Sequence, residues 1–188
     1  MRLVAIAAAL IGLGKMEAGR RHLSSALRRL EQAIEIDPHD AEAQFAYAEV
    51  LEAMGRTNEA LAAYFRTLEY NPLHAKASQN IGAIQLANDQ PEQALARFDQ
   101  AVELLPEDGL LRFQRGQAHL ALKHLPQAIA DFQTASRTVG DRPEIFYQLA
   151  LALDAAQQKK EALQAAEQAL RLAPNYADAR DLSQRLRR

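Results

Sequence analysis

Cysteine is absent from the 188 residues. That excludes disulfides, thiol nucleophiles and thiolate metal sites. It leaves the compartment open, because a secreted chain can also lack cysteine. Aromatic residues are sparse, at 6 %. Charge of one sign is lacking too: the net charge is −2, so no bulk field draws the chain to nucleic acid or to an anionic membrane. Long apolar runs are also missing. The one candidate, Leu3 to Leu13 behind a single Arg, is too short to span a membrane. It is about the length of a signal peptide's hydrophobic segment, but its basic lead-in is minimal and no small-x-small cleavage site follows it.

Several chemical signatures are missing as well. The glycines form no phosphate-cradling loop, and Ser24 and Ser25 have no nucleophile-elbow context. His119 and His124 are five residues apart and miss the i, i+4 geometry of a helical metal pair. With His22, His39 and His74 they are expected to be solvated. The carboxylates are expected on helix surfaces. No catalytic residue, cofactor or metal is therefore expected. Arg20, Arg21, His22, Arg28 and Arg29 form a basic cluster, and arginines close the chain; both are expected to serve solubility and helix-end charge.

What is present is alanine with Leu, Glu, Gln and Arg, a helix-forming mixture. It is organised at a fixed interval. SALRRLEQAIEIDP, EALAAYFRTLEYNP and QALARFDQAVELLP end at Pro38, Pro72 and Pro106, 34 residues apart. Repeats of that length begin at Ala7, Ala41, Ala75, Gly109 and Pro143. Position 20 is Ala26, Ala60, Ala94, Ala128 and Ala162, and position 21 is Leu27, Leu61, Leu95, Ile129 and Leu163. Position 8 is Gly14, Ala48, Gly82, Gly116 and Ala150; position 27 is Ala33, Thr67, Ala101, Ala135 and Ala169. Small side chains there let two helix backbones approach closely. Large ones at position 24 (Leu30, Tyr64, Phe98, Phe132, then Ala166) fill the gaps between. Positions 20, 24 and 27 share one helical face. Proline at position 32 cannot continue a helix, so the second helix of each repeat ends before it. The first helices are predicted over about 41–54, 75–88, 109–122 and 143–156, and the second over about 24–36, 58–70, 92–104, 126–138 and 160–172. Ala177 to Arg187 is one more helix, with a polar outer face suited to ending a stack.

The motif of small, Ala-Leu, aromatic, Ala and Pro at period 34 resembles the tetratricopeptide repeat family, over nearly the whole chain. The resemblance implies an all-α fold, a right-handed α–α superhelix (solenoid) of about five helix–turn–helix units. These are residues 7–40, 41–74, 75–108, 109–142 and 143–176, with a capping helix at 177–188, in a single repeat domain over 1–188. The first repeat fits at Leu10, Leu13, Gly14, Ala26, Leu30, Ala33 and Pro38, so the N-terminal run is read as a first helix. A cytoplasmic location is the expectation; export or attachment to an envelope follows if residues 1–14 act as a signal sequence instead. Two departures stand out. The fourth repeat has Arg115 where an apolar residue is usual and lacks the closing proline. The tryptophan sometimes seen at position 4 is absent; Gln44, Ser78 and Arg112 stand there, which implies lighter packing.

Stacked pairs rotate slightly from one to the next and so present a concave face. The resemblance implies that first helices line it at positions 2, 5, 6, 9, 12 and 13, which repeat packing does not need. The candidate peptide-binding residues there are Phe45, Glu49, Lys76, Gln79, Asn80, Phe113, Gln114, Gln117, Tyr147 and Gln148. Aromatics recur at position 5, and amides beside them can both donate to and accept from an extended backbone. The alternative is that the aromatics tuck between adjacent first helices and the amides are merely solvated. Some family members clamp a chaperone's C-terminal carboxylate with Lys, Asn, Asn, Lys and Arg. The matching places here hold Ile11, Lys15, Ala46, Lys76 and Asn80, or Phe45, Glu49, Asn80, Leu110 and Gln114. Neither set matches, so no clamp of that kind is expected. The expectation is a non-catalytic protein-interaction scaffold with a protein or peptide partner. The alternative is a structural spacer or self-assembling module, a homo-oligomer, from a larger multidomain or envelope assembly protein.

Overall fold

The computed structural model describes residues 2–19 and 22–188, with side chains from residue 6 onward. Eleven α-helices and no strand occur among the described residues. In order they are α1 (Arg2–Gly19), α2 (Leu23–Ile36), α3 (Ala41–Ala53), α4 (Thr57–Tyr70), α5 (Ala75–Ala87), α6 (Pro91–Leu104), α7 (Gly109–Ala121), α8 (Leu125–Thr138), α9 (Pro143–Ala155), α10 (Lys159–Leu172) and α11 (Ala177–Arg187). The fold is an all-α helical repeat, as the spacing predicts, and each helix boundary falls close to its predicted place. Arg20 and Arg21 of the basic cluster, and the side chains of Leu3 and Val4, lie outside the described residues. No helix among the described residues is long and apolar enough to cross a membrane.

By its contacts the chain divides into two compact parts, residues 1–84 and 85–188. In the first, Leu30 packs with Ile11, Ala43, Ala46 and Val50, and Tyr64 packs with Phe45, Ala48, Ala77 and Ile81. In the second, Phe132 packs with Leu149, Ala150 and Leu153, and the same cluster takes in Leu182 and Leu186 of α11. The five position-20 alanines and all five residues at position 24 are 0 % exposed. Burying one such Leu or Phe stabilises by roughly 1.5–3 kcal/mol. The small residue at position 8 is what admits it. A Cβ added at Gly14 would stand 2.7 Å from Leu30 Cγ, and one added at Gly116 would stand 2.7 Å from Phe132 Cε1.

The turn between the two helices is the same in the second to fifth repeats. Position 15 is left-handed in four repeats: Gly55, Asp89, Lys123 and Gln157, at φ 76°, 59°, 59° and 61°. The next N–H reaches back over it, from Arg56 to Leu51 O, Gln90 to Gln85 O, His124 to His119 O and Gln158 to Leu153 O, at 2.8–2.9 Å. This six-residue closure satisfies carbonyls at the end of the first helix. Only Gly55 adopts the conformation without steric penalty.

Between repeats, Asp37 and Asn71 accept from the N–H two residues on, and Asp40 and Asp108 cap α3 and α7. Position 4 contributes a further tie where tryptophan is missing. Gln44 donates to Pro38 O at 3.2 Å, Arg112 to Pro106 O at 3.0 Å, and Arg180 of α11 to Pro174 O at 2.7 Å. Each secures the carbonyl of the proline that closed the preceding repeat. The buried stripe of α11 is Ala179, Leu182, Ser183 and Leu186, and its exposed residues include Arg180, Gln184 and Arg187.

The left-handed turn residues predict the effect of glycine. Lys123→Gly and Gln157→Gly are each expected to raise stability by about 0.5–1 kcal/mol, the steric relief exceeding glycine's entropy penalty. Gly55→Ala is expected to lower it by about 1 kcal/mol. Chemical denaturation midpoints of the three variants check this.

Candidate functional site

In residues 1–84 the candidate surface is carried by α1, α3 and α5. Phe45, expected at an exposed recognition surface, is 6 % exposed. Its ring lies 4.4 Å from His74 and 5.6 Å from Tyr64, centroid to centroid, so it is taken up by packing against the second helix and the closing turn of its own repeat. Asn80 is half-buried and donates to the Tyr64 hydroxyl at 2.8 Å; that hydroxyl donates to Glu52 Oε2 at 2.7 Å. Burial, then Glu52, push the Tyr64 hydroxyl well above its usual range. Asn80 therefore anchors a core tyrosine.

Glu49 and Lys76 are exposed, and Gln79 is half-buried. Partial burial raises the Glu49 carboxyl, against the pull of Lys15 and Lys76. Lys15 Nζ meets Glu42 Oε2 at 2.8 Å, and His74 Nε2 lies 3.3 Å from Glu42 Oε1. The Lys15 hydrogen bond lowers the Glu42 carboxyl. This face is mixed in charge, with carboxylates and ammonium groups alternating.

In residues 85–188 the surface is apolar and amide-rich. Phe113 is half-buried and tilted on Phe132 at 5.7 Å. Gln114, Gln117 and Gln148 are half-buried. Tyr147 is half-buried, its ring 5.1 Å from that of Tyr176. A cavity of about 250 Å³ is lined by Tyr147 and Leu151 of α9 and by Asp178, Asp181, Leu182 and Arg185 of α11. Beside it, Arg185 pairs with Asp154, joining the two helices. Of the six lining residues Tyr147 belongs to the candidate set expected from sequence, and Leu151 stands at position 9 of the same helix, also expected to line the face. The signal for the others is the repeat itself. Continued past Ala177, the 34-residue register puts Asp178, Asp181, Leu182 and Arg185 at positions 2, 5, 6 and 9.

The departure at Arg115 is explained by its partners. Its guanidinium grips Asp131 through two bonds of 2.7 Å and reaches Asp99 at 3.0 Å, while Arg112 lies 3.4 Å from Asp131. Asp131 is 3 % exposed, contrary to the expectation that the carboxylates lie on helix surfaces. His119, expected to be solvated, is 9 % exposed and its Nδ1 has no hydrogen-bond partner among the described residues. Burial holds its imidazole below the ordinary value. The cause of the first correction is a paired change in the fourth repeat: an arginine at an apolar position is accommodated by an aspartate on the facing helix. Among the described residues no three His, Asp or Glu side chains gather as a metal site.

Removing Arg115 would leave Asp131 buried with only a long contact to Arg112. Arg115→Met is expected to destabilise by about 3 kcal/mol. Arg115→Leu with Asp131→Ala is expected to recover most of that, because neither charge then needs a partner. Urea unfolding of the single and double variants measures the difference.

Three tetratricopeptide repeat family profiles match the chain, at residues 18–80, 80–143 and 143–176. No curated protein sequence matches it. Among solved structures, YrrB, described as a TPR protein with an unusual peptide-binding site, is similar with a TM-score of 0.85 at 21 % identity, over 93 % of this chain and 90 % of that one. MamA is similar at a TM-score of 0.79 and 15 % identity, over 92 % and 94 %. The pilF protein of Pseudomonas aeruginosa is similar at 0.76 and 24 % identity, over 99 % and 90 %. At these identities the likeness concerns the fold.

Proposed function

The chain belongs to the tetratricopeptide repeat family, and from that premise we propose that it is a non-catalytic interaction scaffold whose first helices bind a peptide segment or a partner's surface. The observation that carries this reading is the division of labour within each repeat. Positions 8, 20, 24 and 27 are consumed by packing, whereas Glu49, Lys76, Gln117, Tyr147 and Gln148 remain partly or fully accessible on the first helices. Phe45 is buried against Tyr64 and Asn80 is bonded to the Tyr64 hydroxyl, whereas Gln79, Phe113 and Gln114 are half-buried on the first helices. The description of YrrB as carrying a peptide-binding site supports the same reading for this chain.

A second reading, self-assembly, is favoured by one observation on α1. Position 10 is buried in the later repeats, at Val50, Ile84, Ala118, Ala152 and Leu186 of α11, yet its counterpart Met16 is 45 % exposed. Leu13 and Ile6 are 41 % and 42 % exposed on the same helix. A second copy covering this stripe would bury it.

Affinity capture with the chain and with its Phe113→Ala/Tyr147→Ala variant tests the scaffold. Wild-type capture of a defined partner is expected to fall about tenfold or more in the variant, with helicity retained by circular dichroism. Unchanged capture by a folded variant contradicts the groove assignment. Sizing across a concentration series separates the second reading: a dimer abolished by Leu13→Glu/Met16→Glu would establish it.

A further inference from the structure

The cavity between α9 and α11 has a chemistry of its own. Its volume, about 250 Å³, is below the roughly 300–1,000 Å³ of small-molecule sites, so it suits one side chain of a larger ligand. Its walls are of four kinds. Leu151 and Leu182 are apolar, and Tyr147 offers an aromatic ring. Asp178 and Asp181 are exposed carboxylates with no hydrogen bond or ion pair to any described residue. The single cation in the wall, Arg185, is already neutralised by Asp154. The pocket is therefore net acidic where a ligand would enter. Burial, then the nearby Asp178 charge, push the Tyr147 hydroxyl above its ordinary value.

We propose that this cavity is the side-chain pocket for a lysine or arginine of the bound peptide. The cationic head would sit with the Asp178 and Asp181 carboxylates and against the Tyr147 ring. Charge-assisted hydrogen bonds and cation–π attraction both favour that placement. The methylene stem would lie along Leu151 and Leu182, as long basic side chains commonly do on apolar surface. The proposal rests on the reading of the first helices as a peptide-binding surface, and it adds the class of residue the peptide must carry at this end. It also gives α11 a part in binding, since four of the six lining residues are its own.

The test is an amide chemical-shift titration of the full chain with three capped peptides. These are Gly-Leu-Arg-Leu-Gly and the same sequence with norleucine or glutamate in place of arginine. The arginine peptide is expected to shift Tyr147, Leu151, Asp181 and Arg185, and to bind about tenfold more tightly than the norleucine peptide. Asp178→Asn/Asp181→Asn is expected to reduce it to the norleucine level. Asp181→Asn alone, beyond the first turn of α11, is expected to weaken it in part and guards against an effect of lost helix-end charge. Equal binding of the glutamate peptide, or arginine binding undiminished in the double variant, overturns the pocket. Shifts confined to Phe113, Gln117 and their neighbours would overturn the pocket while leaving the peptide-binding surface standing. Silence at every first helix would overturn both.

Discussion

Two packed helices can approach closely only where a bulky side chain on one is met by a small residue on the other. Everything else in this protein depends on that condition being met once per repeat. The small residue at position 8 faces the large residue at position 24 of the helix that follows it. Gly14 takes Leu30 and Gly116 takes Phe132, Ala48 lies in one cluster with Tyr64, and in the fifth repeat both positions are small, Ala150 and Ala166. The alanine at position 20 is without solvent exposure in all five repeats. Packing density leaves no slack there, and a single added methyl group would be felt. Because these positions are fixed by packing, the remaining positions of the first helices are available for other work.

The same economy governs the exceptions. A charge enters the packed layer only with its partner, as Arg115 does with Asp131 and Asp99. A side chain at position 4 that brings no large ring brings a hydrogen-bond donor, and it ties the proline carbonyl before it. Half-buried aromatics of the candidate surface follow suit: Phe113 leans on Phe132 and Tyr147 on Tyr176. The accessible face is thus made of groups whose positions are set by the layer beneath. A binding surface held in that way loses little freedom when a ligand arrives.

The helices and their order were legible in the sequence because prolines and small residues recur at one interval, and both act through local sterics. The left-handed turn residue was legible only at Gly55; Asp89, Lys123 and Gln157 adopt the same conformation without announcing it, because the six-residue closure imposes it on whatever stands there. Phe45 was assigned to the correct helix but not to its depth, since His74 from the turn before α5 covers it. Asp131 reads as an ordinary surface carboxylate until Arg115 is seen across from it. The cavity at α11 was hidden by treating that helix as a terminus, although its residues keep the repeat register. Periodicity reveals which residues share a face. It does not reveal which neighbour lies over that face.

The most direct test of the close-approach account is the unfolding of a leucine series. Ala60→Leu, Ala94→Leu, Ala128→Leu and Ala162→Leu each place a larger side chain at the same position of successive repeats. The account predicts that every one lowers the free energy of unfolding, by about 1–3 kcal/mol, whichever repeat carries it. Leucine accepted without loss at these alanines would contradict it, because the helices would then not be in contact where the repeat pattern places them.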